Sequence, residues 1–201
     1  MPASTTAMDH ASRPLGEFLA DVASAAVTPA GGTAGAVVGA IGTACCEMVC
    51  RHLEAAGAGT DGSLTEMRRT LETRRTELLA FAAADAAVVQ ERFAPPTDGA
   101  DPDTVKRSVG VPLSIAEACL RTLEEAATVT SVSDRRVVAD AGTAAYLARG
   151  ALEAAIFTVR SNLDDLDDGA FVAETREQAT AIEDAARDAF EETMGNLGPA
   201  A

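Results

Sequence analysis

The sequence predicts an all-α protein, a bundle of long antiparallel helices, and three observations carry that expectation. Alanine supplies much of the 47% hydrophobic content, aromatic residues amount to 3%, and tryptophan is absent. Small side chains of high helix propensity suit closely packed helices, whereas a β-sandwich wants Val, Ile, Tyr and Phe in alternation. Apolar residues also recur at three- and four-residue intervals over long stretches, and proline and glycine clusters cut the chain between those stretches. The 201 residues suffice for one well-buried domain. The expected organisation is a loose N-terminus over 1–11, a single helical domain over 12–196 and a short tail over 197–201.

Ser12-Arg13-Pro14 opens the first helix, with serine as cap and proline in the first turn. Leu15, Phe18, Leu19, Val22 and Ala23 form its apolar stripe up to the Thr28-Pro29 break. Pro29-Ala30-Gly31-Gly32-Thr33 is then a turn running into a second helix, where Thr33 is placed to cap the first turn with its hydroxyl. This helix should run from near Gly32 to about Ala56, where Gly57-Ala58-Gly59 stops it. Glycines within a helix cost about 1 kcal/mol each relative to alanine. Gly31, Gly35 and Gly39 are four apart and so share one face, which fits close approach of another backbone or of a flat ligand. Both readings stand on residue types alone: a tightly packed core helix, or a ligand site at the glycine turn.

Ser63-Leu64-Thr65-Glu66 reads as a capping box that opens a long third helix reaching Pro95-Pro96. Leu64, Met67, Leu71, Leu78, Phe81, Val88 and Val89 give its apolar face. Asp85 falls on that face, four after Phe81 and three before Val88. A carboxylate there must be paired, hydrogen-bonded or used chemically, because burial of an unpaired charge is costly, and the structural alternative to chemistry is an ion pair with an interior arginine.

Asp103 begins a fourth helical stretch, which Pro112 should interrupt or kink. Leu113, Ala116, Leu120 and Leu123 face a core after it. A fifth helix is expected from about Arg135 to Leu166, with a wide face of small residues and Asp140 at its edge. Leu166, Phe171, Val172 and Phe190 mark a last helix ending near Gly195.

The net charge is −15, and Lys106 is the only lysine. Phosphate recognition needs a basic footprint, so nucleic acid is excluded as a partner. An acidic, lysine-poor surface resembles that of proteins adapted to high salt. A membrane span is disfavoured, since Pro29 and the glycine pair interrupt the uncharged run between Asp21 and Glu47. Cys45, Cys46, Cys50 and Cys119 make no disulfide framework, and with only His10 and His52 available no metal site is expected. The thiols read as small buried hydrophobes in a protein of the reducing cytoplasm.

Five ordered segments resemble the motifs of the cyclodeaminase/cyclohydrolase family of folate enzymes. Pro29-Ala30-Gly31-Gly32-Thr33 is similar to its P-G-G-G-S/T opening, with Ala30 at the first glycine. Leu78 to Ala86 resembles the segment that brings an aspartate to the cleft, here Asp85, with Val88 at the usual aromatic. Val111-Pro112-Leu113-Ser114-Ile115-Ala116 is similar to V-P-L-x-I/L-A. Ala139 to Ala145 resembles S-D-x-G-V/T-A, with Ala139 for the serine, and Val159 to Leu163 resembles the end of N-V-x-x-N-L, with Thr158 for the first asparagine. Ser133-Asp134 stand where the family tends to have G-N.

The resemblance implies a helical homodimer that binds a reduced folate and needs no cofactor beyond it. Hydrolysis of 5,10-methenyltetrahydrofolate to 10-formyltetrahydrofolate is the expected reaction. Ring closure of 5-formiminotetrahydrofolate with loss of ammonia is the second, and a non-catalytic homodimer binding folate or a protein is the third. Asp85 and Asp140 are the expected catalytic pair, one moving the proton and the other stabilising the cationic substrate. Pro29, Gly31, Gly32, Thr33, Pro112 and Asn162 are expected around the substrate, with Arg160 as the cation for the glutamate tail.

Overall fold

The computed structural model describes residues 12–94, 102–132 and 137–198. Among them are six helices and no strand: α1 (Leu15–Val22), α2 (Gly31–Ala55), α3 (Ser63–Arg92), α4 (Pro102–Ser131), α5 (Val138–Leu163) and α6 (Gly169–Leu197). The expected loose N-terminus, Pro95-Pro96, Ser133-Asp134, Arg135 and the last three residues of the tail lie outside the described residues.

The centre of the bundle is α2, which packs against α3, α5 and α4, while α4 also packs against α5, α6 and α3. By length and hydropathy α2 could cross a membrane, but 56% of its apolar window is buried inside the fold. Small residues make that burial tight. A Cβ on Gly42 would lie 2.9 Å from the backbone N of Ala148 and 3.1 Å from the carbonyl of Ala144, so α2 and α5 meet backbone to backbone. At Gly39 the Cys119 thiol fills the notch, 2.7 Å from where a Cβ would stand. The face that requires glycine is therefore Gly32, Gly39 and Gly42, whereas Gly31 and Gly35 have open space beside them. All five glycines fall on one arc of the helix, and within the expected set only Gly39 meets a neighbour.

The core has one large cluster around Leu78, Ile115, Cys119, Leu152 and Ile156, and a second around Val49, Cys50, Leu53 and Leu71. Val109, Val159 and Leu163 form a third, small cluster. From α1 only Phe18 is buried; Leu15, Leu19 and Val22 of the expected stripe stay exposed.

Several local expectations are corrected. The backbone N of Ser63 is capped by Asp61, 3.0 Å away, and Gly62 takes a left-handed φ of +86°, so the capping box does not form. Pro112 does not end a helix, since α4 runs through it. The fifth helix stops at Leu163, three residues early, and the Asp168 carboxylate then accepts from the backbone N of Phe171 to start α6.

Candidate active site

Among the described residues two carboxylates are buried, and they are satisfied in different ways. Glu47 is an ion-paired group: Arg51 reaches it at 2.6 Å and Arg75 at 3.2 Å. Burial alone would raise its pKa, but the two guanidinium hydrogen bonds hold it below the usual range.

Asp85, 5% exposed, is held by no arginine. Its Oδ2 accepts from the Thr33 hydroxyl at 2.7 Å, and the backbone N–H of Thr33 donates to it as well. The carboxylate thus lies on the first turn of α2, where helical N–H groups have no partner of their own. Thr33 is not the cap of α2: Ala30 takes that position with no side-chain bond. Its hydroxyl instead ties α2 to α3. Gly32 makes room, since a Cβ there would stand 2.3 Å from Asp85 Oδ1. Burial pushes the Asp85 carboxyl above the ordinary range, and the Thr33 bonds pull it only part of the way back.

Asp85 borders a cleft of about 230 Å³. Ala30, Gly31 and Gly32 form one edge of it, Val88, Val89, Arg92 and Phe93 continue along α3, and Ser108, Val111, Thr158 and Asn162 close it from α4 and α5. Pro29 is buried at the turn just before the edge. Pro112 shapes the far wall through its missing N–H: the Ser108 carbonyl, one turn earlier, accepts from Asn162 Nδ2 at 2.6 Å instead. Six of the expected residues, Gly31, Gly32, Thr33, Asp85, Pro112 and Asn162, therefore surround or support one cavity.

Two do not join them within the chain. Asp140 is half-buried near Cys45, whose thiol it helps raise. Cys45 is thirteen residues along α2 from Gly32, about 20 Å at 1.5 Å per residue. Arg160 lies in a separate surface groove with Phe157 and Arg176, paired to Glu183 at 2.9 and 2.5 Å.

The cation that lines the cleft is Arg92, which donates to Ser108 Oγ at 2.9 Å and pairs with Asp165. Neither Arg92 nor Ser108 was singled out from sequence. A signal existed: Arg92 follows Asp85 by seven residues, two helical turns on the same face.

Among the described residues, the all-helical bundle has one buried carboxylate without an ion-pair partner, Asp85, and it borders the cleft. Residues 14–181 match the model of the formiminotransferase-cyclodeaminase family. The chain belongs to that family. It is 29% identical over 176 residues to the methenyltetrahydrofolate cyclohydrolase of Methylorubrum extorquens, covering 78% of this chain and 82% of that one. The fold is similar to the crystal structure of formiminotetrahydrofolate cyclodeaminase from Thermotoga maritima, with a TM-score of 0.87, 21% identity, and 93% and 96% of the two chains covered.

Proposed function

We propose that this chain hydrolyses 5,10-methenyltetrahydrofolate to 10-formyltetrahydrofolate, with Asp85 as the proton-transfer group. The observation that carries this reading is the unpaired, buried Asp85 carboxylate beside a cleft with a glycine edge. The family and the similarity to a cyclohydrolase supply the substrate class.

The methenyl carbon of the substrate is the centre of a cationic amidinium and is already electrophilic. Ionised Asp85 attracts that cation in a site of low dielectric. Water adds to the carbon and gives one proton to Asp85. Collapse of the adduct breaks the bond from carbon to N5, forms the formyl carbonyl on N10 and moves the hydroxyl proton to N5. Asp85 then loses its proton to solvent, so the reaction consumes one water and releases one proton. A base whose pKa is raised toward neutrality accepts a proton better than an ordinary aspartate. Gly31 and Gly32 let the flat pterin approach the backbone of the α2 start.

The unit is a homodimer. On α2, Ala34, Val38, Ile41, Cys45 and Met48 form a second apolar stripe at helical spacing, and Ile41 is 44% exposed. A helix that is apolar all round calls for cover on every side. Four free thiols and a reduced, oxidation-sensitive substrate support a reducing, cytoplasmic setting.

The test is the decay of the methenyl chromophore on adding purified protein, with the uncatalysed rate subtracted. Fast decay that is lost in Asp85→Asn supports the assignment. No decay by folded wild type, with ammonia released from 5-formiminotetrahydrofolate instead, moves the chain to the cyclodeaminase reaction. Neither activity leaves a non-catalytic homodimer that binds folate or a protein.

A further inference from the structure

Arg92 is the one cationic side chain among the residues lining the cleft, in a chain of net charge −15. Its side chain is 22% exposed, and both ends of its fork are occupied: one nitrogen donates to Ser108 Oγ and the other pairs with Asp165. The two partners differ in kind. Ser108 is buried and is itself fixed, donating to the Val105 carbonyl at 2.7 Å. Asp165 follows the end of α5, its side chain 55% exposed. A carboxylate so placed returns to water at little cost, so its hold on Arg92 is exchangeable.

Beside Arg92, Phe93 lines the same cleft and is 66% exposed as a residue. An exposed aromatic face next to a guanidinium suits a ligand with an aryl ring followed by a carboxylate. From Asp85 to Arg92 is two helical turns, about 10 Å. That distance is comparable to the span of one p-aminobenzoyl unit and its amide.

We propose that Arg92 is the specificity residue for the glutamate carboxylate of the substrate, and that Asp165 holds its place until the substrate arrives. The inference rests on the folate reading of the cleft above. The incoming carboxylate takes the nitrogen that Asp165 occupies, Ser108 keeps the guanidinium in position, and the aryl ring of the substrate lies against Phe93. Asp165 is then a built-in competitor, and its removal should tighten binding of an anionic tail.

The experiment compares kcat/KM for two substrates, 5,10-methenyltetrahydrofolate and its analogue with the glutamate replaced by an uncharged methylamide. In Arg92→Met the preference for the glutamate-bearing substrate should fall about tenfold or more, the worth of one charge-assisted hydrogen bond. In Asp165→Asn that preference should rise. A structural role would lower both substrates together and leave the ratio unchanged, and that result overturns the proposal. So does a fall in the ratio in Asp165→Asn, a variant that stands on its own if Arg92→Met does not fold.

If wild type turns over neither compound, the reaction assigned above fails. Equilibrium binding of 5-formyltetrahydrofolate and its methylamide analogue then reads the Arg92 contact directly. Equal binding of the two by wild type, or no binding of either, ends the proposal.

Discussion

Asn162 supplies the hydrogen-bond donor to α4 that Pro112 lacks. Pro112 lies inside α4, and the carbonyl it leaves without a helical partner, that of Ser108, receives Asn162 Nδ2 at 2.6 Å. The two residues come from motifs fifty positions apart and answer one backbone requirement. Asn162→Ala should therefore cost about 1–3 kcal/mol, the penalty of an unsatisfied buried acceptor. Pro112→Ala restores the N–H, so in that background the cost of Asn162→Ala should shrink by about 1 kcal/mol. Urea unfolding of the four proteins reads the coupling, and additive costs would refute it.

Asp85→Asn should separate activity from stability. Loss of a positioned base predicts a fall of about 10²- to 10⁴-fold in turnover. The sign for stability is opposite. A carboxyl with a folded pKa above its unfolded value binds protons more tightly in the native state, so its ionisation destabilises the fold as pH rises through that window. The asparagine variant should melt higher than wild type at neutral pH and at the same temperature in acid. The acid limb of the wild-type rate profile should also lie above the ordinary aspartate pKa of about 4. Asp140→Asn, remote from the cleft in the chain, should cost far less turnover than Asp85→Asn.

Gly32→Ala and Gly42→Ala should fail differently. A Cβ on Gly32 meets the Asp85 carboxylate, so that variant should lose turnover by displacing the base. On Gly42 it meets the backbone of α5, which has no side-chain freedom to yield. Overpacking there should cost about 1–3 kcal/mol in thermal or urea unfolding. A Gly32→Ala enzyme with full activity would remove the close contact from the argument.

Ile41→Glu places a charge at the exposed residue of the half-buried outer stripe of α2. Light scattering should show the wild type as a dimer and this variant as a folded monomer at micromolar concentration. A monomeric wild type would refute the pairing.

Molar potassium chloride should raise Tm relative to dilute buffer, because screening relieves the self-repulsion of 31 acidic against 16 basic side chains. A flat or falling Tm would remove the salt-adapted reading of the surface.

The helices were legible because their limits are written in proline and glycine. Gly57 takes the left-handed conformation that stops α2, with φ of +83°. Asp85 was legible as a carboxylate on an apolar face, but its two fates looked alike until α2 and α3 were docked. Which buried acid is ion-paired depends on Arg51 and Arg75, and these converge on Glu47. Thr33 was open to more than one use, since a hydroxyl at a helix start can serve its own helix or a neighbour. Pro112 was read as an interruption or a kink because a single helix cannot show a donor arriving from another. Asp140 and Arg160 sit in motif-like segments, but order along the chain does not show that Asp140 lies near Cys45, far along α2 from the cleft, or that Arg160 faces a different groove from Thr158 and Asn162.

The enclosure of the cysteines has a practical side. Cys46, Cys50 and Cys119 are buried, and burial lifts the thiols of Cys50 and Cys119 to about 12 and that of Cys46 well above its ordinary value. Thiolate is the reactive form, so these three are silent toward maleimides in the folded chain. Cys45 alone is half-open, on the outer stripe of α2, with a thiol raised less by burial and Asp140. A dye added to the unaltered protein therefore marks one position per chain, slowly. Because that position lies on the stripe proposed as the seam between two copies, dimerisation should slow the labelling, and its rate would then be a clock for subunit separation.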